Sequence, residues 1–101
     1  MNMESLYDIR GRVVVMTGAC GVLGRSIVKY LAAQGCRVVL LGRNENRGNA
    51  LADEIRAEGG EAMFLVSNVL DQASLERNLE DILAAYGTID VLLNAAGGNM
   101  G

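Results

Sequence analysis

Short apolar runs alternate with amphipathic segments along the whole chain. Runs rich in β-branched and other apolar residues at 12–16, 37–41, 62–66 and 89–93 predict four strands, the first two buried on both faces. Helical periodicity between them predicts three helices, over 22–33, after the N-cap Asn44 and after the N-cap Asp71. The apolar residues expected to face the core are Leu23, Ile27, Val28, Leu31 and Ala32 in the first helix, Leu51 and Ile55 in the second, and Leu75, Leu79, Ile82, Leu83 and Tyr86 in the third.

This strict alternation with short connections predicts an α/β fold. The strands should form a parallel sheet with helices on both faces. In the Rossmann arrangement they take the spatial order 3-2-1-4, so the loops after the first and fourth strands become neighbours at the switch point, where a ligand binds. No linker divides the chain, so residues 1–101 are expected to belong to one domain, truncated after strand four.

Composition excludes several classes of protein. The formal net charge is −3 and the nine Lys and Arg residues are scattered, which does not suit nucleic-acid binding. Two distant cysteines and the absence of histidine predict neither a disulfide framework nor a metal site, and favour a reducing cytoplasm. No run is long enough to span a membrane, and the N-terminal segment does not resemble a signal peptide.

The turn after the first strand is rich in glycine and reads Thr17-Gly18-Ala19-Cys20-Gly21-Val22-Leu23-Gly24. Pyrophosphate needs backbone N–H groups and the positive end of a helix close by, and side chains in the turn would hold the phosphates away. Gly18 and Gly21 allow this approach, while Gly24 would let the helix pack tightly on the sheet. A glycine-rich turn without a ligand is the alternative, but the strand-turn-helix context favours a dinucleotide site.

On these residues the chain resembles the short-chain dehydrogenases and reductases. Their cofactor turn reads Thr-Gly-x-x-x-Gly-x-Gly, and here Val22 stands where the middle glycine is usual. The variant turn Gly21-Val22-Leu23-Gly24 is similar to that of the sugar-acid oxidoreductases of the family, D-mannonate oxidoreductase among them. The resemblance implies cofactor-binding residues at Thr17, Gly18, Cys20, Gly21, Val22, Leu23 and Gly24.

A second motif follows the fourth strand. The family has Asn-Asn-Ala-Gly there, which steadies the sheet beside the cofactor, and this chain reads Asn94-Ala95-Ala96-Gly97. One Asn has become Ala. Asn94 is therefore expected to be a strand-end residue that bonds neighbouring backbone, with Ala95, Ala96 and Gly97 beside the cofactor.

Cofactor choice should be set just after the second strand. An acidic residue there would accept hydrogen bonds from the ribose hydroxyls and repel a 2′-phosphate. This chain instead has Arg43, followed by Asn44, and a guanidinium binds phosphate in two-pronged fashion. Arg43 therefore predicts NADP, with Asn44 beside it at the cofactor site and NAD as the alternative cofactor. The alternative interpretation of Arg43 is a solvated arginine.

Two further positions leave alternatives open. Asn68-Val69 follows the third strand where the family usually has Asp-Val, a place that resembles the adenine contact. Asn68 either bonds the adenine amino group or forms a plain Asx-turn. Cys20 lies near a helix N-terminus, which could make its thiol reactive, but an incidental small residue is the favoured interpretation.

The catalytic residues of the family do not occur in the chain. There a Ser and a Tyr-x-x-x-Lys pair follow the fourth strand, and the Tyr donates the proton that hydride transfer to a carbonyl requires. Here Lys29 is the only lysine, and it does not stand four positions after a tyrosine. We therefore predict no catalytic residue in these 101 residues and no turnover by the chain itself.

Three functional hypotheses follow. The chain is the cofactor-binding part of an NAD(P)-dependent oxidoreductase, the parent being a homo-oligomer that acts on a sugar acid or related hydroxy or keto compound. Alternatively it is a freestanding dinucleotide-binding module without catalysis, or part of a 3-oxoacyl or other carbonyl reductase. The fourth strand, with Val91, Leu92 and Leu93, would be an unprotected apolar edge in a freestanding module, which favours the first hypothesis over the second.

Overall fold

The computed structural model of the chain describes residues 10–18, 21–68 and 71–94, with the backbone alone at Val22 and Asn94. Its elements in chain order are β1 (Val13–Thr17), α1 (Val22–Ala33), β2 (Arg37–Gly42), α2 (Glu45–Ala57), β3 (Glu61–Val66), α3 (Gln72–Tyr86) and β4 (Val91–Asn94). The strands pair in parallel in the order β3-β2-β1-β4. The predicted α/β fold and the strand order 3-2-1-4 are confirmed.

Each face of the sheet has its own apolar core. On one face, side chains of β1 and β2 pack with α1 and α2, and the buried residues there include Val14, Met16, Val28, Val38, Leu40, Leu51, Ala52 and Ile55. On the other face the buried residues are Val13, Val15, Val39, Leu41 and, from α3, Ile82. Successive residues of β1 and β2 therefore point into different cores, which explains why both strands read as uninterrupted apolar runs.

Helix ends follow the signals in the sequence. The side chain of Asn44 accepts a hydrogen bond from the amide of Arg47 at 3.0 Å, and that of Asp71 from the amide of Ala73 at 3.1 Å. Both residues are therefore N-caps, as predicted. Gly87 ends α3 in the left-handed conformation, with a φ of 81° that glycine adopts without strain.

The start of the fourth strand differs from its prediction. The carboxylate of Asp90 accepts a hydrogen bond from the amide of Val13 at 2.8 Å and lies 3.7 Å from the guanidinium of Arg12. The Asp90 amide still donates to the Val13 carbonyl at 2.9 Å, so the side chain replaces one backbone bond, and the paired register with β1 begins at Val91 rather than at Ile89. Ile89 instead packs against the core on the α3 side of the sheet.

Two leucines expected in the core are exposed, so those two predictions were wrong. Leu23 is 67% exposed because it lies in the first turn of α1, which starts beyond the carboxyl end of β1. Leu83 is 47% exposed and follows the fully buried Ile82, from which it is rotated by about 100° around the helix axis. The inner face of α3 is thus narrower than the stripe of apolar residues in its sequence.

Ion pairs around Glu54 join α1 to α2. The Glu54 carboxylate accepts hydrogen bonds from Arg25 at 2.7 and 2.8 Å and from Lys29 at 2.8 Å, and Lys29 lies 3.3 Å from Glu58. The hydrogen bond from Lys29 is the main cause that lowers the pKa of Glu54, and it raises the pKa of Lys29 in turn. Both groups are therefore charged at neutral pH and fix the two helices relative to one another.

Candidate functional site

The carboxyl ends of the parallel strands lie together at one end of the sheet, which we call its carboxyl edge. Thr17 is in register with both Leu41 and Asn94, and Gly42 is in register with Val66. The loops that follow β1, β2 and β3 therefore leave the sheet side by side. This edge brings together the described residues that the sequence predicted as a site.

The turn after β1 begins with a glycine in a conformation that other residues rarely adopt. Gly18 has a φ of 73°, its amide donates to the carbonyl of Leu41 at 3.3 Å, and its carbonyl accepts from the amide of Gly21 at 3.2 Å. The Thr17 hydroxyl donates to the carbonyl of Leu93 at 3.5 Å. Thr17 is buried, so its side chain links β1 to β4 rather than facing outward.

Among the described residues, no side chain caps the start of the first helix. Gly21 is its N-cap, in extended conformation, and its first turn contains no acidic residue. Among the described residues, a Cβ atom at Gly21 would meet only the carbonyl oxygen of Gly18, at 3.6 Å. The first amides of α1 therefore keep their partial positive charge for an anion. Gly24 is buried in α1, about one helical turn after Gly21.

Arg43 and Asn44 have different environments although they are adjacent. The side chain of Asn44 binds the backbone of α2 as its N-cap. Arg43 is exposed, and its guanidinium has no ion pair or hydrogen bond with the part of the chain that the structure describes. An unpaired guanidinium at this edge of the sheet is available for an anionic group.

Backbone contacts hold the turn after β3 against α3. The amide of Asn68 donates to the hydroxyl of Ser74 at 3.3 Å, and its carbonyl accepts from the amide of Asp71 at 2.9 Å. The carboxamide of Asn78 donates to the carbonyl of Val66 at 3.1 Å. Sequence reasoning missed Asn78, although a polar residue between Leu75 and Leu79 on an apolar face was a signal for it.

Several predicted site residues fall outside the described ranges. These are Cys20, Val69, Ala95, Ala96 and Gly97, together with the side chains of Val22 and Asn94. The backbone of Asn94 pairs with Thr17, and Leu23 is exposed in the first turn of α1 next to the glycine turn.

The remaining groups in the described ranges indicate no other chemistry. Cys36 is buried just before β2, and burial raises the pKa of its thiol, which suits a packing residue. Within residues 10–18, 21–68 and 71–94, His, Cys, Asp and Glu side chains form no group of three that could hold a metal ion. None of the described helices has both the length and the apolar character needed to cross a membrane.

Comparison with known sequences identifies close relatives. The family model of the short chain dehydrogenases matches residues 12–101. The uncharacterized oxidoreductase UxuB of Bacillus subtilis is 44% identical over 92 residues, which cover 91% of this chain and 33% of that protein. The 3-oxoacyl-[acyl-carrier-protein] reductase FabG of Escherichia coli is 39% identical over 90 residues, which cover 89% of this chain and 36% of that protein. The chain thus spans about one-third of the length of these relatives.

Solved structures give the same result for the fold. A proposed D-mannonate oxidoreductase from Haemophilus influenzae, with bound NAD, matches with a TM-score of 0.86 at 32% identity, over 98% of this chain and 35% of that one. A metagenomic short-chain oxidoreductase in complex with NADP matches with a TM-score of 0.81 at 35% identity, over 84% of this chain and 38% of that one. Proteins with the same arrangement of strands and helices therefore hold either nicotinamide dinucleotide.

Proposed function

The chain belongs to the short-chain dehydrogenase family, and from that premise we propose that it is the cofactor-binding part of an NAD(P)-dependent oxidoreductase. One observation carries the proposal. The N-terminus of α1 follows Gly18 and Gly21 and lies at the same edge of the sheet as Arg43. Within the described residues, no side chain caps this helix end and none pairs with the Arg43 guanidinium. Both features suit a ligand with phosphate groups.

The residues at this edge fit a nicotinamide dinucleotide. Gly18, Gly21 and the first amides of α1 would hold the pyrophosphate, and Arg43 would hold a 2′-phosphate on the adenosine ribose. Asn68 would contact the adenine, and Asn94 at the end of β4 would steady the sheet beside the nicotinamide. When bound, the cofactor supplies the hydride acceptor or donor.

The substrate class of the whole protein is the second part of the proposal. The turn from Gly21 to Gly24 and the similarity to the D-mannonate oxidoreductase support a sugar acid or a related hydroxy or keto compound. The similarity to FabG favours a 3-oxoacyl thioester as the second candidate. An assay of the complete gene product with both substrate classes, following the absorbance of the reduced cofactor, distinguishes them.

A titration of the 101-residue chain tests cofactor binding. We expect NADP and its fragment 2′,5′-ADP to bind with similar, weak affinity, because the residues proposed to hold the cofactor lie at its adenosine and pyrophosphate end. Nicotinamide mononucleotide should bind far more weakly. NMR or calorimetric titrations measure all three affinities. No binding of any adenosine fragment would contradict the proposed function. Tight binding that requires the nicotinamide would contradict the expectation that the adenosine end of the cofactor supplies the affinity.

Replacing Arg43 tests the choice of cofactor. We expect Arg43→Gln to weaken 2′,5′-ADP binding by about 10- to 100-fold, since a charge-assisted hydrogen bond contributes about 1.5–3 kcal/mol. Binding of 5′-AMP should stay within about twofold of wild type, because this fragment lacks the 2′-phosphate that Arg43 is proposed to bind. Calorimetric titration of both fragments measures the difference.

The matched control is Arg47→Gln, which removes the same charge from an exposed position in the first turn of α2. This variant should change the affinities for the two fragments equally and by much less. If the wild-type chain does not prefer 2′,5′-ADP to 5′-AMP, Arg43 is a solvated arginine and the preference for NADP is wrong.

A further inference from the structure

Two polar side chains of α3 hold the end of β3 and the turn that follows it. The hydroxyl of Ser74 accepts a hydrogen bond from the amide of Asn68 at 3.3 Å. One helical turn later, the carboxamide of Asn78 donates to the carbonyl of Val66 at 3.1 Å. Residues four positions apart lie on the same face of a helix, so α3 contacts the chain just before and just after it leaves the sheet.

Stability does not account for an amide at position 78. Asn78 is only 7% exposed and is flanked by Leu75 and Leu79, which pack against the core. Its Oδ1 atom is buried and has no hydrogen-bond partner in the described part of the chain. A buried polar atom without a partner costs free energy, and this cost offsets what the hydrogen bond from Nδ2 to Val66 contributes, so the net gain in stability over an apolar residue of the same size is small. The role of Asn78 therefore lies in what its Nδ2 group holds in place.

The group that Asn78 holds is the last carbonyl of β3, at the carboxyl edge of the sheet. Val66 is in register with Gly42, and the next amide, of Ser67, donates to the carbonyl of Gly42 at 2.8 Å. The chain is thus fixed from two sides at this point, by β2 and by α3. Asn68 is the first exposed residue after it and lies beside the loop that carries Arg43.

We propose that Ser74 and Asn78 are positioning residues for the adenosine end of the cofactor. Their two hydrogen bonds set the direction in which the chain leaves β3, and so the place of Asn68 relative to the adenine. They do not touch the ligand themselves. This inference rests on the proposed function, because it requires that the turn after β3 contacts adenosine.

The test uses the 101-residue chain and 5′-AMP, which contains the adenosine but no 2′-phosphate. Asn78→Leu removes the donor and the unpartnered acceptor together and keeps the size of the side chain. We expect 5′-AMP to bind about fivefold more weakly, because the loss of the hydrogen bond to Val66 leaves Asn68 less well placed for the adenine. The thermal midpoint of the variant should be unchanged or higher. The ratio of affinities for 2′,5′-ADP and 5′-AMP should stay at the wild-type value, because Arg43 is intact.

Two more variants complete the experiment. Ser74→Ala removes the hydrogen bond from the amide of Asn68, and alanine is a good helix former. This variant should also weaken 5′-AMP binding, so it tests the inference even if Asn78→Leu does not fold. Ser67→Ala is the matched control, because its hydroxyl is buried without a partner among the described residues and should not affect affinity.

The possible outcomes separate the two proposals. Wild-type protein that does not bind 5′-AMP would overturn the proposed function and this inference with it. Wild-type binding together with unchanged affinity in both α3 variants would overturn the inference alone. A lower thermal midpoint with unchanged 5′-AMP affinity would show that the two hydrogen bonds are merely structural, and would also overturn it.

Discussion

Gly21→Asp is expected to make the chain slightly more stable and to remove most of its affinity for a dinucleotide. Gly21 is the N-cap of α1 and provides no side-chain acceptor for the first amides of the helix. An aspartate there would accept a hydrogen bond from those amides and stabilise the fold by about 0.3–1 kcal/mol. The same carboxylate would compete with the phosphates for the amides and repel them, so NADP should bind at least about tenfold more weakly.

The space around Gly21 makes this a clean experiment. Among the described residues, a Cβ atom there meets only the carbonyl oxygen of Gly18, at 3.6 Å, which is an ordinary contact. Thermal unfolding measures the stability and calorimetric titration measures the affinity. Gly21→Asn is the control, because it caps the helix without a charge and should weaken binding less. Wild-type affinity in Gly21→Asp would mean that the amides of α1 do not bind phosphate.

Gly48→Ala should destabilise the fold, although alanine is a better helix former than glycine. In an exposed helix this change stabilises a protein by about 1 kcal/mol. Here Gly48 is buried in α2, and a Cβ atom would overlap the ring of Phe64 in β3. Relieving that overlap requires the ring or the helix to move, so we expect a loss of about 1–3 kcal/mol in the free energy of unfolding.

Urea denaturation of a small set of variants tests this packing. Asn49→Ala is the matched control, since Asn49 is the exposed neighbour of Gly48 in α2 and its replacement should slightly stabilise the chain. The double variant Gly48→Ala with Phe64→Leu should recover part of the loss, because the smaller side chain leaves room for the new methyl group. A stabilised Gly48→Ala chain would mean that the Phe64 ring moves aside at little cost.

Local sequence signals were sufficient to predict most of the fold. The apolar runs of β1 and β2, the caps Asn44 and Asp71 and the terminating Gly87 depend on neighbours within a few residues, so they can be read without a structure. The start of β4 was misplaced because it depends on a hydrogen bond between Asp90 and Val13, 77 positions apart in the chain. Periodicity contains no information about such a contact.

The same distinction applies to the candidate site. The glycine turn and Arg43 could be proposed from the sequence because each lies next to a strand end, and their role in binding stays a prediction. The contact of Asn78 with Val66 and the overlap that glycine avoids at Gly48 join different elements, so neither was predicted. Leu23 and Leu83 were assigned to the core because a periodic pattern marks an apolar side of a helix but not how much of that side the sheet covers.

The central position of β1 also determines the order in which the chain can assemble during its synthesis. β1 pairs with β2 on one side and with β4 on the other. Pairing with β2 is possible once Gly42 has left the ribosome, but the other side of β1 has no partner until Asn94 has followed. Throughout that interval a valine-rich strand presents open backbone groups to other nascent chains. In the folded chain β4 pairs along this side of β1, and the Asp90 carboxylate binds the Val13 amide where that pairing starts.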